Sequence, residues 1–327
     1  MELSYTGSVA APIIKTPVKS AMAVYWITPI TWLIILVDAS FFKSILKQNL
    51  PVNPSSIFLF SLFFNSPHII GSTLNFFDAE YYSYYKKRLL ISIALIITLA
   101  SSLPILIGEE LAFALYLLFT VVHFAGQKFG LCIMLTNTKG LSFQFWKFSG
   151  LAIDAIIFID IVLGLSAKFE APRLIKYGTL GLFIPFTAAT LYYSLRSKDK
   201  IGTKAVWQNY GLVASTWFFY AIGYPFFVIF GPVVIHDITA FMFYTVHDQN
   251  RNSIQMHNIL YKPLVQLGLP VLLCCPLIAL SLASILTVKY DQSWVIMTLV
   301  FLNILHYYTE SFAWKKGSPQ RRQIVLN

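Results

Sequence analysis

Long apolar runs separated by short polar or charged segments dominate the pattern of this 327-residue sequence. A helix needs about 20 consecutive apolar residues to cross the hydrocarbon core of a bilayer. Ten runs of about this length are bounded by charges or turn residues, so the pattern predicts ten transmembrane helices. Only Gly231-Pro232 separates the seventh run from the eighth, and eight spans is the alternative count. The runs cover residues 22–42, 55–77, 88–108, 110–136, 145–167, 173–195, 206–230, 231–250, 263–287 and 292–314.

The composition agrees with a membrane protein. Hydrophobic residues make up 57% of the chain and charged residues only 12%, whereas soluble domains carry about 25% charged residues. We therefore expect an all-α transmembrane bundle that forms a single integral membrane domain over residues 1–327. Residues 1–20 are expected to be a short cytoplasmic segment before the bundle, and residues 315–327 a basic cytoplasmic tail.

The basic residues predict the orientation of the chain. If the N-terminus is cytoplasmic, 18 of the 24 Lys and Arg residues fall on the cytoplasmic side of the ten spans. Cytoplasmic loops of membrane proteins carry such an excess, so both termini are predicted to be cytoplasmic. The net charge of +10 then indicates contact with membrane lipids and not with nucleic acid. No protein partner is indicated, and we expect a multi-pass protein of the bacterial inner membrane.

Four histidines occupy similar positions in four predicted spans that run in the same direction. Each lies about 13 to 16 residues after the start of its span, which places the four within about 5 Å of one depth. Neutral imidazole is the commonest protein ligand of transition metals. The pattern therefore predicts a site for iron, zinc or copper, and hydrogen bonding between helices is the alternative role of these histidines. The predicted ligands are His68, His123, His247 and His306.

Five further residues are predicted to support these ligands, by holding an imidazole in place or by relaying protons. His236 is kept out of the ligand set because it precedes His247 by about three helical turns, or about 16 Å. Asp154 and Asp160 share one run, and they can equally face different ways and serve only packing or insertion. The supporting residues are His236, Asp248, Asn65, Asn75 and Asp154.

Two polar residues are candidates for direct participation in catalysis. Gln127 follows His123, and Glu310 follows His306, each at the i+4 position on the same helical face. Glu310 has the chemistry of a metal ligand, of an acceptor for an imidazole N–H, or of a general base. The alternative is a carboxylate at the rim of the bundle that pairs with the lysines at 315 and 316.

Three short segments resemble a known family. Residues 306–315 read HYYTESFAWK, residues 123–126 read HFAG, and Pro67 precedes His68. These segments resemble those of the Brp/Blh family, membrane-integrated iron enzymes that cleave β-carotene to retinal, and of related bacterial multi-span proteins. The resemblance implies a helical bundle, one non-haem iron held by the four predicted histidines, and oxidation of a long apolar substrate by dioxygen. Ser72, Asn75 and Gln127 stand where carboxylates are expected in that family, which leaves the carotenoid substrate open.

Two other functions compete with a histidine-ligated metal oxygenase or oxidoreductase acting on an apolar, lipid-like substrate. Intramembrane His, Asp and Glu side chains are typical of proton-coupled transporters, and two aligned histidines are also able to bind haem for electron transfer. The sequence contains no H-E-x-x-H zinc-protease motif, no P-loop and no G-x-G-x-x-G motif.

Overall fold

The structure is a computed structural model that describes residues 13–136, 140–164, 172–197, 200–289 and 292–326. Most of the predicted N-terminal segment and the last residue of the predicted tail lie outside this description. The described residues are almost entirely helical, which confirms the predicted fold class. Two-residue strands β1 (Lys15–Thr16) and β2 (Val325–Leu326) pair in parallel. The longer helices are α1 (Val18–Phe41), α5 (Ala79–Ile107), α6 (Glu109–Thr136), α7 (Leu141–Leu163), α8 (Pro172–Arg196), α9 (Lys200–Ile222), α10 (Pro225–Asn252), α12 (Val271–Val288) and α13 (Ser293–Ala313).

Shorter helices connect the long ones. The predicted second span is not a regular helix: a π-helical turn, Ser61–Asn65, lies between two α-helical pieces, and a 3₁₀ turn, Asn75–Phe77, follows them. The π turn ends two residues before Pro67, whose missing N–H cannot bond to the preceding turn. The short helices are α2 (Ile45–Asn49), α3 (Phe58–Phe60), α4 (Ser66–Leu74), α11 (Tyr261–Gln266) and α14 (Pro319–Arg322).

Six described helices are long and apolar enough to cross a membrane, namely α1, α5, α6, α8, α10 and α12. This finding supports a multi-span membrane protein. The count of ten spans and the cytoplasmic position of both termini stay predictions.

The boundary between α9 and α10 differs from the predicted one. The chain turns at Gly223, whose φ of +79° favours glycine, and α10 begins at Pro225. Proline suits the first position of a helix because the N–H it lacks has no partner there. Pro232 lies inside α10, so the predicted helix start at residue 231 is wrong by six residues.

The chain divides into two compact units. Unit 1 contains Met1–Lys19, Ser66–Ile97 and Ala240–Asn327. Within it, α4 packs against α12 and α13. The approach is close at Gly71, where an added Cβ would lie 3.0 Å from the Phe241 ring. A buried cluster of Leu74, Ala240, Tyr244, Tyr261, Cys274 and Cys275 fills this part of the unit.

Unit 2 contains Ser20–Asn65 and Thr98–Thr239. In this unit α7 packs against α6, α8 and α9. The ring of Trp146, fully buried, contacts the rings of Phe129 and Phe186 at centroid distances of 4.7 and 6.1 Å. The core of unit 2 around Trp146 is therefore aromatic.

Candidate metal centre

Two of the buried histidines of unit 1 lie close together. His68 lies on α4 directly after Pro67, and His306 lies on α13. Their ring centroids are 4.5 Å apart and the two planes are nearly perpendicular. Their residues are 2% and 0% exposed. Two imidazole rings are therefore buried side by side in the interior of unit 1.

One short hydrogen bond orients the His306 ring. Its Nδ1 lies 2.7 Å from the Ser72 hydroxyl oxygen, and its Nε2 lies 3.7 Å from Glu310 Oε2. Glu310 is buried, and its Oε1 accepts hydrogen bonds from the Tyr244 hydroxyl and from Trp314 Nε1. Glu310 therefore lies inside unit 1 beside the histidine and not at an exposed rim.

His247, a predicted ligand, lies in a separate hydrogen-bonded network of unit 1. Its Nε2 is 3.1 Å from the Tyr81 hydroxyl, and its Nδ1 is 2.9 Å from Asp248 Oδ1. The other Asp248 oxygen accepts a hydrogen bond from the Tyr261 hydroxyl at 2.6 Å. Both ring nitrogens of His247 thus lie within hydrogen-bond distance of protein groups, and its role as a metal ligand stays a prediction. Asp248 contacts His247 directly, and its supporting role also stays a prediction.

Unit 2 holds a second pair of histidines. His123 on α6 and His236 on α10 have ring centroids 5.0 Å apart, again with nearly perpendicular planes. Gln127 Nε2 is 3.5 Å from His123 Nε2, and Asp237 Oδ1 is 3.9 Å from His236 Nε2. The Gln127 contact is longer than the 2.7 Å contact between His306 Nδ1 and the Ser72 hydroxyl.

A buried ion pair joins α6, the helix that contains His123, to α7. Lys128 on α6 donates a 3.0 Å hydrogen bond to Asp154 on α7, and both side chains are 2% exposed. Asp160, one and a half turns further along α7, accepts a 2.6 Å hydrogen bond from Tyr220. Asp154 therefore pairs with a lysine, and among the described hydrogen bonds none joins it to a histidine. Its supporting role stays a prediction.

Three of the four predicted ligands belong to these two pairs. His68 and His306 form the pair of unit 1, and His123 belongs to the pair of unit 2. The partner of His123 in that pair, His236, was predicted only as a supporting residue.

The two predicted asparagines do not bond to these histidines. Asn65 is half-buried in the π turn, and Asn75 is buried in the 3₁₀ turn after α4. Among the described hydrogen bonds, none joins either amide to a histidine. Their supporting role therefore stays a prediction.

A second group of possible ligands, Asp78, Glu80 and His257, is already compensated by a cation. Arg251 Nε lies 2.7 Å from Asp78 Oδ2, and its Nη2 lies 2.5 Å from Glu80 Oε2. Burial raises the pKa of Asp78, but hydrogen bonds from Arg251 and from two backbone N–H groups outweigh burial and lower that pKa. This group is an ion-pair network and not a metal site.

Comparison of the chain with protein-family models, with curated proteins and with solved structures finds no match. The function proposed for the protein therefore rests on the geometry of its histidines.

Proposed function

We propose that the protein is an integral-membrane metalloprotein in which His68 and His306 of unit 1 bind a transition-metal ion, with iron(II) expected. The close approach of these two buried rings, with centroids 4.5 Å apart, is the observation that supports this proposal. Two imidazoles with a carboxylate, here Glu310 beside His306, are a ligand set that suits non-haem iron(II).

The chemistry of the donors fits this assignment. Neutral imidazoles suit iron, copper and zinc and leave the full charge of the ion uncompensated. The Glu310 carboxylate beside His306 supplies a negative charge at 3.7 Å from Nε2. Two imidazoles and a carboxylate also leave positions open on a six-coordinate ion, which a substrate or dioxygen requires.

The proposed reaction is oxidation of an apolar, lipid-like molecule by dioxygen. A bound iron ion would supply the activation of dioxygen, while the helices would exclude water and admit the substrate from the lipid. Helices long and apolar enough to cross a membrane support such a substrate. The resemblance of three short segments to the Brp/Blh family favours the same class of reaction. Glu310 and Gln127 remain the candidates for proton transfer.

Metal analysis of the detergent-purified chain tests this function. We expect about one metal ion per chain in the wild type and loss of the metal in the double variant His68→Ala with His306→Ala. His257→Ala is the matched control, because the described bond of His257 to Asn252 comes from its backbone N–H and His257 belongs to neither histidine pair. The control should retain the metal.

Two results would contradict the proposal. One is a metal content well below one per chain that the double variant does not change. The other is an equal loss of metal in the His257→Ala control. Metal-free protein that moves a solute across liposomes would favour the transporter, and a haem absorption band would favour electron transfer by haem.

A further inference from the structure

A chain of aromatic rings leads away from the histidine pair of unit 1. The Tyr244 ring stacks on the His68 ring with centroids 5.7 Å apart, and the Trp314 ring stacks on Tyr244 at 5.8 Å. The His247 ring meets Trp314 at 5.6 Å, and the Tyr81 ring meets His247 at 5.6 Å. Each step lies within the range of direct aromatic contact. Tyrosine and tryptophan are also the side chains most easily oxidised by one electron.

A proton acceptor is in place for Tyr81. The Nδ1 of His247 faces the Asp248 carboxylate at 2.9 Å, which fixes the proton on Nδ1 and leaves Nε2 as an acceptor. The Tyr81 hydroxyl lies 3.1 Å from that Nε2 and donates to it. A tyrosine loses its phenolic proton when it is oxidised, and the imidazolium formed on His247 would be stabilised by Asp248.

The other two oxidisable rings share a second acceptor. The Tyr244 hydroxyl and Trp314 Nε1 both donate to Glu310 Oε1. A carboxylate at this point stabilises positive charge on either ring. Oxidation at any of the three rings is therefore matched by a basic group that ordinary packing of aromatic residues would not require.

The far end of the chain lies close to the surface of unit 1. The Arg251 guanidinium lies over the Tyr81 ring at 4.8 Å, and Arg251 is paired with Glu80, whose side chain is 66% exposed. Tyr85, one turn along α5, provides a contrast. It is as buried as Tyr81, but its hydroxyl donates to the amide oxygen of Gln320, which is a poor proton acceptor.

We propose that Tyr244, Trp314 and Tyr81 form an electron-transfer path between the His68–His306 pair and the surface beside Arg251. The oxidant in this inference rests on the proposed function and is a redox-active metal ion with dioxygen or a peroxide. An electron passes from Tyr81 through Trp314 and Tyr244 to the oxidised centre, and the Tyr81 proton moves to His247 Nε2. A one-electron reductant of the thiol or ascorbate class then restores Tyr81, with return of the proton. Such a path delivers electrons to the site or removes oxidising equivalents when no substrate is bound.

Rapid-freeze electron paramagnetic resonance of the iron-loaded full chain mixed with hydrogen peroxide tests the path. We expect a tyrosyl radical in the wild type, loss of that radical in Tyr81→Phe, and its retention in Tyr85→Phe. In Trp314→Phe, oxidised residues mapped by mass spectrometry should shift from Tyr81 to Tyr244 and its surroundings. An unchanged radical in Tyr81→Phe, or an equal loss in Tyr85→Phe, would overturn the inference.

A second arm separates this inference from the metal proposal. A ruthenium photo-oxidant attached through E80C supplies the oxidising equivalent at the surface end, without any bound metal. The three cysteines, all buried, should not be labelled. A light-induced tyrosyl radical that Tyr81→Phe removes and Tyr85→Phe retains would support the path even in protein that binds no iron. A radical that survives in Tyr81→Phe would reject the path even in protein with a full iron content.

Discussion

The two histidine pairs are alike in ring geometry and different in what surrounds them. In unit 1, His306 is fixed by the Ser72 hydroxyl at 2.7 Å, and the nearby Glu310 carboxylate accepts hydrogen bonds from neutral donors. In unit 2, the described contact of His123 with Gln127 is 3.5 Å long. Lys128, a little more than one turn after His123 on α6, forms a buried ion pair with Asp154. His306 in unit 1 is thus held by a short directional bond, while the pair in unit 2 has a pair of opposite charges on the helix of His123.

This difference separates two ways of placing imidazoles in an apolar interior. Short hydrogen bonds fix the tautomer and the ring orientation of a ligand before metal binds. A buried ion pair contributes little net stability, but removal of one partner leaves an uncompensated charge. We therefore expect unit 1 to control metal affinity through its hydrogen bonds and unit 2 to be the more sensitive to loss of a charge.

The largest effect is expected from Lys128→Met in unit 2. This change leaves the Asp154 carboxylate buried without its cation, and the free energy of unfolding should fall by about 3–5 kcal/mol. Unfolding in mixed detergent micelles measures the change. Adding Asp154→Leu should recover most of the lost stability, because an apolar pair of similar volume is often neutral. If the double variant is no more stable than Lys128→Met alone, the ion pair does not set the stability of this region.

A smaller effect is expected when one hydrogen bond to a histidine is removed from each unit. Ser72→Ala should weaken metal binding by about 10- to 100-fold, because it frees the orientation of His306. Gln127→Ala should have less effect, since its 3.5 Å contact with His123 is long. Titration with the metal measures both affinities. Ser92→Ala is the control, as Ser92 is buried and bonds to a backbone carbonyl of its own helix. Equal weakening by Ser72→Ala and Gln127→Ala would remove the distinction between the two pairs.

The smallest effect is a pH dependence of stability in unit 1. The pKa of Asp78 is lowered from its ordinary value of 3.8, so its pairing with Arg251 stabilises the fold above that value. This contribution should disappear as pH falls through the lower pKa of the folded protein. The thermal midpoint of Asp78→Asn should therefore fall less steeply with acid than that of the wild type. Glu80→Gln, at an exposed side chain, is expected to change the slope less.

The sequence predicted the helical class, because long apolar runs bounded by charged or turn residues mark the helices directly. It misplaced one boundary, because Gly231-Pro232 was taken as the start of a helix. The pairing of His68 with His306 and of His123 with His236 was not predicted, and the ligand set stays a prediction. Proline is tolerated inside helices of membrane proteins, where neighbouring groups satisfy the freed carbonyl. Pro225 after Gly223 was the better signal for the start.

The supporting contacts could not be predicted from local patterns. Tyr244 and Glu310 are 66 residues apart, and the pairing of Lys128 with Asp154 joins different helices across 26 residues. Helical periodicity indicates which residues share a face of one helix, but it does not specify which helices become neighbours. The same limit concealed the Tyr81 hydroxyl on α5 as a partner of His247.

The π-helical turn at Ser61–Asn65 has a consequence for how this protein tolerates changes of length. A π turn contains one residue more than an α turn. Deleting one residue from an ordinary helix rotates everything downstream by about 100°, which would turn His68 away from His306. At the π turn the same deletion could be absorbed by a return to α geometry. Natural variants that gain or lose a residue in this span are therefore expected to do so between positions 61 and 65. The side chains of Pro67 and His68 then keep their orientation.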